Sequence, residues 1–252
     1  MSADTTGTWR PDDSSRGFLP KPPDPLRYDG QPNEADEVVA VLSSLVPRGA
    51  RVLDVGCGTG SVSIQVAANA GAHIVGVEPD LSRAALARER GLDVRAGLLS
   101  RELLEGLGSF DVVMFADVLE HLADPLPLLT TAMDALAPGG SIVISVPNVA
   151  HWSVRMDLLA GHFVYREWGI MDATHLRWFT EDGLRSLLRS AGLTVEAQRV
   201  TAGFDLQCYT ERLPWRRMSR ARRSSLIRRG IKHWPRLFGC QFVVRAVPSL
   251  VI

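Results

Sequence analysis

Asp54-Val55-Gly56-Cys57-Gly58-Thr59-Gly60 follows the apolar run Ala50 to Val55 and precedes the apolar-periodic segment Val62 to Ala70. The pattern reads as a buried parallel strand turning tightly into a helix. Three alternate glycines let the backbone take positive φ and come within contact distance of a ligand. A second acid, Glu78, ends the next apolar run, Ile74 to Val77, where a carboxylate can accept both hydroxyls of a ribose. Together the two features describe a nucleoside pocket.

Spacing decides which nucleoside. A dinucleotide fingerprint wants glycine or alanine three residues after its second glycine, and here that position is Ser61. The third glycine falls instead at Gly60, and an acid, Asp54, precedes the loop. This D-x-G-x-G-x-G pattern with Glu78 resembles the class I S-adenosylmethionine-dependent methyltransferases. The resemblance continues into Phe110 to Leu122, similar to the family's fourth strand and following loop, and into Leu136-Ala137-Pro138-Gly139-Gly140, similar to its turn into the fifth. It covers roughly Val38 to Leu193. The segment Met171 to Thr180, with the helix after it, resembles the small-molecule branch: quinone-type enzymes and relatives in bacterial glycan or natural-product pathways.

The resemblance implies S-adenosylmethionine as cofactor. It places the cofactor against Asp54, Gly56, Cys57, Gly58, Gly60, Glu78, Pro79, Ala96, Asp117 and Val118. One departure concerns adenine: relatives carry an acid after the glycine that ends the third strand, and here Gly97-Leu98-Leu99 offers leucine.

A length of 252 residues with 46% apolar content fits one α/β domain with additions. Strand and helix patterns alternate: Arg51 to Val55, Val62 to Ala70, His73 to Glu78, Leu81 to Arg90, Asp93 to Ala96, Asp111 to Ala116, Pro125 to Leu136, Ser141 to Val146. That alternation predicts a Rossmann-like, doubly wound, mostly parallel α/β sheet with helices on both faces. Thr194 to Val200 and Gly239 to Ala246 add an antiparallel pair at its end. Residues 1–32 mix Pro, Asp, Ser and Gly without period and read as a mobile arm or lid. Residues 33–252 form the methyltransferase domain, with Asn33 capping a first helix through Leu45, a lid or substrate insertion at 147–179 and a basic connection at 212–236.

The formal net charge is zero, so any attraction for nucleic acid or anionic membrane must be local. Cys57, Cys208 and Cys240 lack metal-like spacing and number three, which argues for a reducing compartment. The chain shows no signal peptide or long apolar span, and the cytoplasm is the expected location. Of 28 basic residues only Lys21 and Lys232 are lysines, which hints at a high-GC bacterial genome.

Methyl transfer from a sulfonium is an in-line displacement, so the protein aligns a nucleophile and excludes water, and no metal is expected. A hydroxyl acceptor needs a base, and histidine matches neutral pH. Three of the six histidines, His151, His162 and His175, lie in the 147–179 insertion. His175 and His151 are the candidate bases, with Asp172 as the orienting partner of His175; loop-locking roles compete with both. Trp152, Tyr165, Trp168 and Trp178 are candidate walls of an apolar acceptor pocket, with lid packing as the bland alternative.

The connection from Arg212 to Arg236 carries ten basic residues and no acid. It reads as a solvated face, as a surface for an anionic substrate, or as a peripheral membrane contact. In the last reading Ile227, Ile231, Trp234 and Phe238 fall at helical intervals, interrupted by Gly230 and Pro235. The expected acceptor is a small molecule, at oxygen before nitrogen. The alternatives are an RNA methyltransferase using 212–236, a non-catalytic cofactor-binding partner subunit, and a nicotinamide oxidoreductase, against which Ser61 speaks. Nucleic acid is the weaker expectation, because no RNA module is visible and stacking aromatics are few there.

Overall fold

The computed structural model describes Leu26, Asp29 and residues 33–249. The expected arm at 1–32 therefore lies, apart from those two residues, outside the described residues. The chain runs α1 (Val38–Leu45), β1 (Arg51–Val55), α2 (Ser61–Ala70), β2 (His73–Glu78), α3 (Leu81–Glu89), β3 (Asp93–Ala96), α4 (Arg101–Leu104), β4 (Phe110–Ala116), α5 (Leu126–Met133) and β5 (Leu136–Pro147). It continues with α6 (Trp152–Leu159), α7 (Glu181–Ser190), β6 (Leu193–Val200), α8 (Gln207–Thr210), α9 (Arg220–His233), α10 (Pro235–Phe238) and β7 (Gln241–Pro248). The sheet order is β3-β2-β1-β4-β5-β7-β6. β1 to β5 are mutually parallel, and β7 runs antiparallel to both β5 and β6.

The period-2 geometry of β1 shows how the sheet is buried on both faces. Val52 joins one core, with α1 and α2, while Leu53 and Val55 join the other, with α5 and α7. Each fully buried aliphatic side chain of this kind stabilises by about 1.5–3 kcal/mol. Helix starts follow from caps: Asp80 accepts from the amides of Ser82 and Arg83, Thr180 from Gly183, and Ser219 from Arg222. The register Glu78↔Ala96 and Val55↔Val77 brings the carboxyl ends of β1, β2 and β3 to one edge, where the glycine turn lies.

Several local expectations change. Asn33 does not cap α1; Glu37 occupies that position without a side-chain cap, and Asn33 bonds to Asn69. α5 ends at Met133, because the chain from Leu136 already pairs with β4 through an irregular register. Gly230 does not spoil the basic helix, but Pro235 does interrupt it: α9 ends at His233, and the non-helical Trp234 separates it from α10. α9 runs unbroken through Gly230, whose missing Cβ admits the Phe238 ring, and Pro235 opens α10 at a position where its absent N–H costs nothing.

A third apolar cluster joins Val154, Ile170, Met171, Phe204, Tyr209 and Ile227 beneath the insertion and the basic connection. Ile227 is fully buried there, so the inner face of α9 is occupied by the protein's own core. The three cysteines are buried and free. Among the described residues no helix is long and apolar enough to cross a membrane.

Candidate active site

Gly56, Gly58 and Gly60 all take positive φ, of 76°, 57° and 77°. A Cβ at Gly56 would strike Val118 at 2.9 Å, whereas one at Gly58 would enter open space. The turn is held from below: the Gly58 amide donates to Glu78 Oε2 at 2.8 Å, and the Asp80 amide to Glu78 Oε1 at 2.9 Å. Glu78 is thus buried and already serves the loop with both oxygens. The expected ribose contact would use the remaining lone pairs of the same atoms.

Asp54 lies behind the turn, almost wholly buried. Its Oδ2 accepts from Ser63 Oγ at 2.5 Å, while Oδ1 has no hydrogen-bond partner among the described residues. Burial pushes its pKa up to about 7, and the Glu78 charge adds to the shift. Cys57 is buried against Gly76 and its thiol pKa is raised by desolvation. Thr59 and Arg90 both bond to Asp29, so part of the segment before α1 reaches the turn. Pro79 and Ala96 are exposed at the ends of β2 and β3, and exposed Leu98 follows Ala96.

Asp117, expected beside the cofactor, has its carboxylate engaged across the sheet. At φ 56° it directs its carboxylate to Ser145 Oγ (2.9 Å) and Gln241 Nε2 (2.7 and 2.8 Å), tying β4 to β5 and β7. Burial raises its pKa to about 6. Val118 packs over the glycine turn, its methyl groups 2.9 and 3.3 Å from where a Gly56 Cβ would lie.

One short 3-10 turn beyond Val118 lies a group that sequence reasoning missed. Glu120 is 1% exposed, and neither carboxylate oxygen has a hydrogen-bond partner among the described residues. Burial, with Asp117 and Asp172 nearby, holds its pKa well above the ordinary carboxylate range. One side-chain donor atom each from Glu120, His121 and His175 lie within 4.8 Å of one another, a set that could hold a divalent cation. The two imidazoles meet edge to face at 4.9 Å. The backbone amides of Leu176 and Arg177 donate to the Glu120 carbonyl, clamping the insertion onto this turn.

His175 is 5% exposed and its Nδ1 lies 3.1 Å from the Ile170 carbonyl. A carbonyl only accepts, so Nδ1 carries the hydrogen, and in the neutral ring the lone pair belongs to Nε2. Asp172 is fully buried and accepts from the amide and hydroxyl of Thr174; the His175 amide donates to the Asp172 carbonyl.

The structure separates His151 from this group. It is fully buried, its Nδ1 accepts from the Ser153 amide and hydroxyl, and its Nε2 faces Tyr209 Oη at 3.2 Å. Burial pushes its pKa down to about 3. The ring caps α6 and fills the third core, with its basic nitrogen already engaged. Trp152 belongs to the same core, donating to Tyr209 Oη and stacking near Trp215. Trp168 covers a separate small cavity shared with Arg166 and Cys208. Of the expected acceptor walls, Tyr165 and Trp178 do come together, with Phe163 completing the aromatic trio at centroid distances of 5.5–6.0 Å.

Residues 28–198 match the family model described as a methyltransferase domain. Over 160 residues the chain is 36% identical to a ubiquinone biosynthesis O-methyltransferase of Cereibacter sphaeroides, an alignment covering 60% of this chain and 64% of the relative. It is 38% identical over 152 residues to the protein of that name from Ruegeria pomeroyi, covering 58% and 60%. The matches thus span less than two thirds of these relatives' lengths. A crystal structure from Thermotoga maritima, of a SAM-dependent methyltransferase described as a possible histamine N-methyltransferase, superposes with a TM-score of 0.54 at 19% identity. It covers 84% of this chain and 87% of that one, and supports the fold alone. With a domain match over more than half its length and a seven-stranded, mostly parallel sheet, the chain belongs to the methyltransferase-domain family, with the class I S-adenosylmethionine-dependent fold.

Proposed function

We propose that the chain transfers a methyl group from S-adenosylmethionine to a small-molecule oxygen acceptor in a bacterial biosynthetic pathway. The observation that carries the reading is the placement of the Glu120, His121 and His175 group one turn beyond Val118, which roofs the glycine cradle. The residues fit a cationic ligand: Asp54 keeps a buried, unpartnered oxygen behind the turn, and Glu120 and Asp172 add buried acids around the cleft. When bound, the cofactor supplies an electrophilic methyl on a sulfonium that leaves as a neutral thioether.

The chain's own residues do the rest. Gly58 and Glu78 shape the cradle, Tyr165, Trp178 and Phe163 offer an apolar face to the acceptor, and the clamped insertion excludes water. His175 Nε2 takes the acceptor's hydroxyl proton, held in the right tautomer by the Ile170 carbonyl. A charged Glu120 carboxylate within reach of the same atoms would stabilise the imidazolium, against the burial that disfavours its charge. The relatives' printed names support oxygen as the nucleophile.

A second reading of the proton step rests on the same donors. A divalent cation held by Glu120, His121 and His175 would lower the acceptor's hydroxyl pKa without a free base. The two differ in one assay, in which labelled methyl donor is given to a panel of catechols, phenols and matched amines, with and without chelator. Labelled phenolic oxygen that survives chelation and is lost in His175→Ala supports the histidine base. Loss on chelation, restored by metal, supports the cation. Label on the amines alone overturns the oxygen reading.

The partner surface at 212–236 is proposed as a peripheral contact for an anionic surface rather than for RNA. Four of its ten basic residues are committed to ion pairs, Arg212, Arg220, Arg228 and Arg236. A cytoplasmic location is part of the same proposal.

A further inference from the structure

Three glycines in five residues leave the turn after β1 free to move unless something holds it, because glycine loses more backbone freedom on ordering than any other residue. From within the sheet, the Glu78 carboxylate holds the Gly58 amide. The residue between Gly58 and Gly60 is Thr59, and it is held from off the sheet. Asp29, in the chain before α1, accepts a hydrogen bond from Thr59 Oγ1. Arg90, the C-cap of α3, donates through Nη1 to the Thr59 carbonyl at 3.2 Å and to Thr59 Oγ1 at 3.0 Å. The same guanidinium closes the triangle on Asp29, with Nη2 2.7 Å from Oδ2 and Nη1 3.2 Å from Oδ1.

The donors and acceptors match. The Thr59 hydroxyl gives its one hydrogen to Asp29 and accepts from Arg90, and each oxygen of Asp29 takes one guanidinium nitrogen. Thr59 is buried, while Asp29 and Arg90 keep some contact with solvent. Against the cost of burial, Arg90 and then the Thr59 and Ser61 hydroxyls hold the Asp29 carboxyl below the usual carboxylate range, so the pair is charged at neutral pH. Both anchors are themselves fixed. The Asp29 amide donates to the Leu26 carbonyl. On either side of Arg90 the chain packs against the turn, since a Cβ at Gly60 would lie 3.3 Å from Ala87 and 3.2 Å from Leu92.

We infer that Asp29 and Arg90 are positioning residues for the cofactor: bonded to each other and to Thr59, they fix the glycine turn in the form that the nucleoside binds. The inference rests on the proposed use of the turn for S-adenosylmethionine, and adds a dependence on a side chain 30 residues upstream of the one it holds. It is a case of preorganisation. With either partner removed, the turn samples other conformations, and the ligand must select the competent one at the expense of affinity.

The test is calorimetry of the full chain with S-adenosylhomocysteine, paired with amide hydrogen exchange of the ligand-free protein. Asp29→Ala and Arg90→Ala should each weaken binding about tenfold, the equivalent of fixing one residue's backbone again. The double variant should bind no more weakly than either single one, because the two side chains act as a unit. Asp134→Ala, which breaks another solvent-facing ion pair, with Arg101 at 2.8 Å, should leave binding unchanged. The Gly58 and Gly60 amides should exchange faster in both single variants, whereas the amides of β4 and the thermal unfolding stay close to wild type, since half-exposed ion pairs contribute little to global stability. Equal affinity of Asp29→Ala and wild type, additive losses in the double variant, or unaltered exchange at the turn overturns the inference. A wild-type chain that gives no heat overturns the cofactor reading instead, and the exchange then still decides whether the Asp29–Arg90 pair holds the turn.

Discussion

Replacing Gly58 by alanine separates a cofactor cradle from a mere packing turn. At φ 57° an L side chain is strained by about 1–2 kcal/mol, but a Cβ there meets no atom within 4 Å. Gly71, at the far end of α2, provides the matched control: φ 63°, and again open space around a Cβ. Gly58→Ala and Gly71→Ala should therefore destabilise equally, by about 2–4 °C in Tm for each kcal/mol in a domain of this size. If the space at Gly58 belongs to the cofactor, only Gly58→Ala places a methyl group in the ligand's path. Calorimetry with S-adenosylhomocysteine should then show at least about tenfold weaker binding for Gly58→Ala, a loss of about 1.4 kcal/mol, and unchanged binding for Gly71→Ala. Equal affinities in the two variants, with both folded, would refute the cradle.

Other consequences concern pH and packing. The folded Asp54 holds its proton to about pH 7, whereas an unfolded aspartate ionises near pH 3.9. In that window the folded state binds more protons, so stability falls as pH rises, by about 1.4 kcal/mol per unit at most. Urea unfolding of Asp54→Asn should lack this part of the slope, and an unchanged slope would contradict the buried carboxyl. His151 has the opposite sign: with its folded pKa near 3, stability is present above about pH 6.5 and lost as pH falls. His151→Asn, which keeps a capping oxygen, should flatten the acid limb yet retain turnover; loss of turnover in a folded variant would return His151 to the site. Gly230→Ala would push a methyl to 2.7 Å from the Phe238 ring, costing about 1–3 kcal/mol with no change in cofactor affinity, as paired melting and calorimetry would show.

The sheet was legible because its signals are local: the glycine turn, the acid ending β2 and the alternation of apolar runs each need only a few neighbouring residues. The site divides at the point where local signals end. For Asp117 the sequence could not announce that Gln241, on the last strand, would bond its carboxylate. His151 reads as a base until Tyr209 and Ser153 enclose it. Glu120 carried a signal that could have found it, an acid and a histidine side by side after β4, but its meaning depends on His175 folding back from the insertion. Gly230 looked like a helix breaker because nothing near it in sequence announces the Phe238 ring that fills its place.

The central claim is that the bend after β1 receives a sulfonium nucleoside. Titration of the wild-type chain with S-adenosylmethionine and S-adenosylhomocysteine, in competition with a nicotinamide dinucleotide, tests it most directly. The account predicts saturable one-to-one binding of both sulfur nucleosides that the dinucleotide does not displace. Absence of heat with either, or displacement by the dinucleotide, would contradict it.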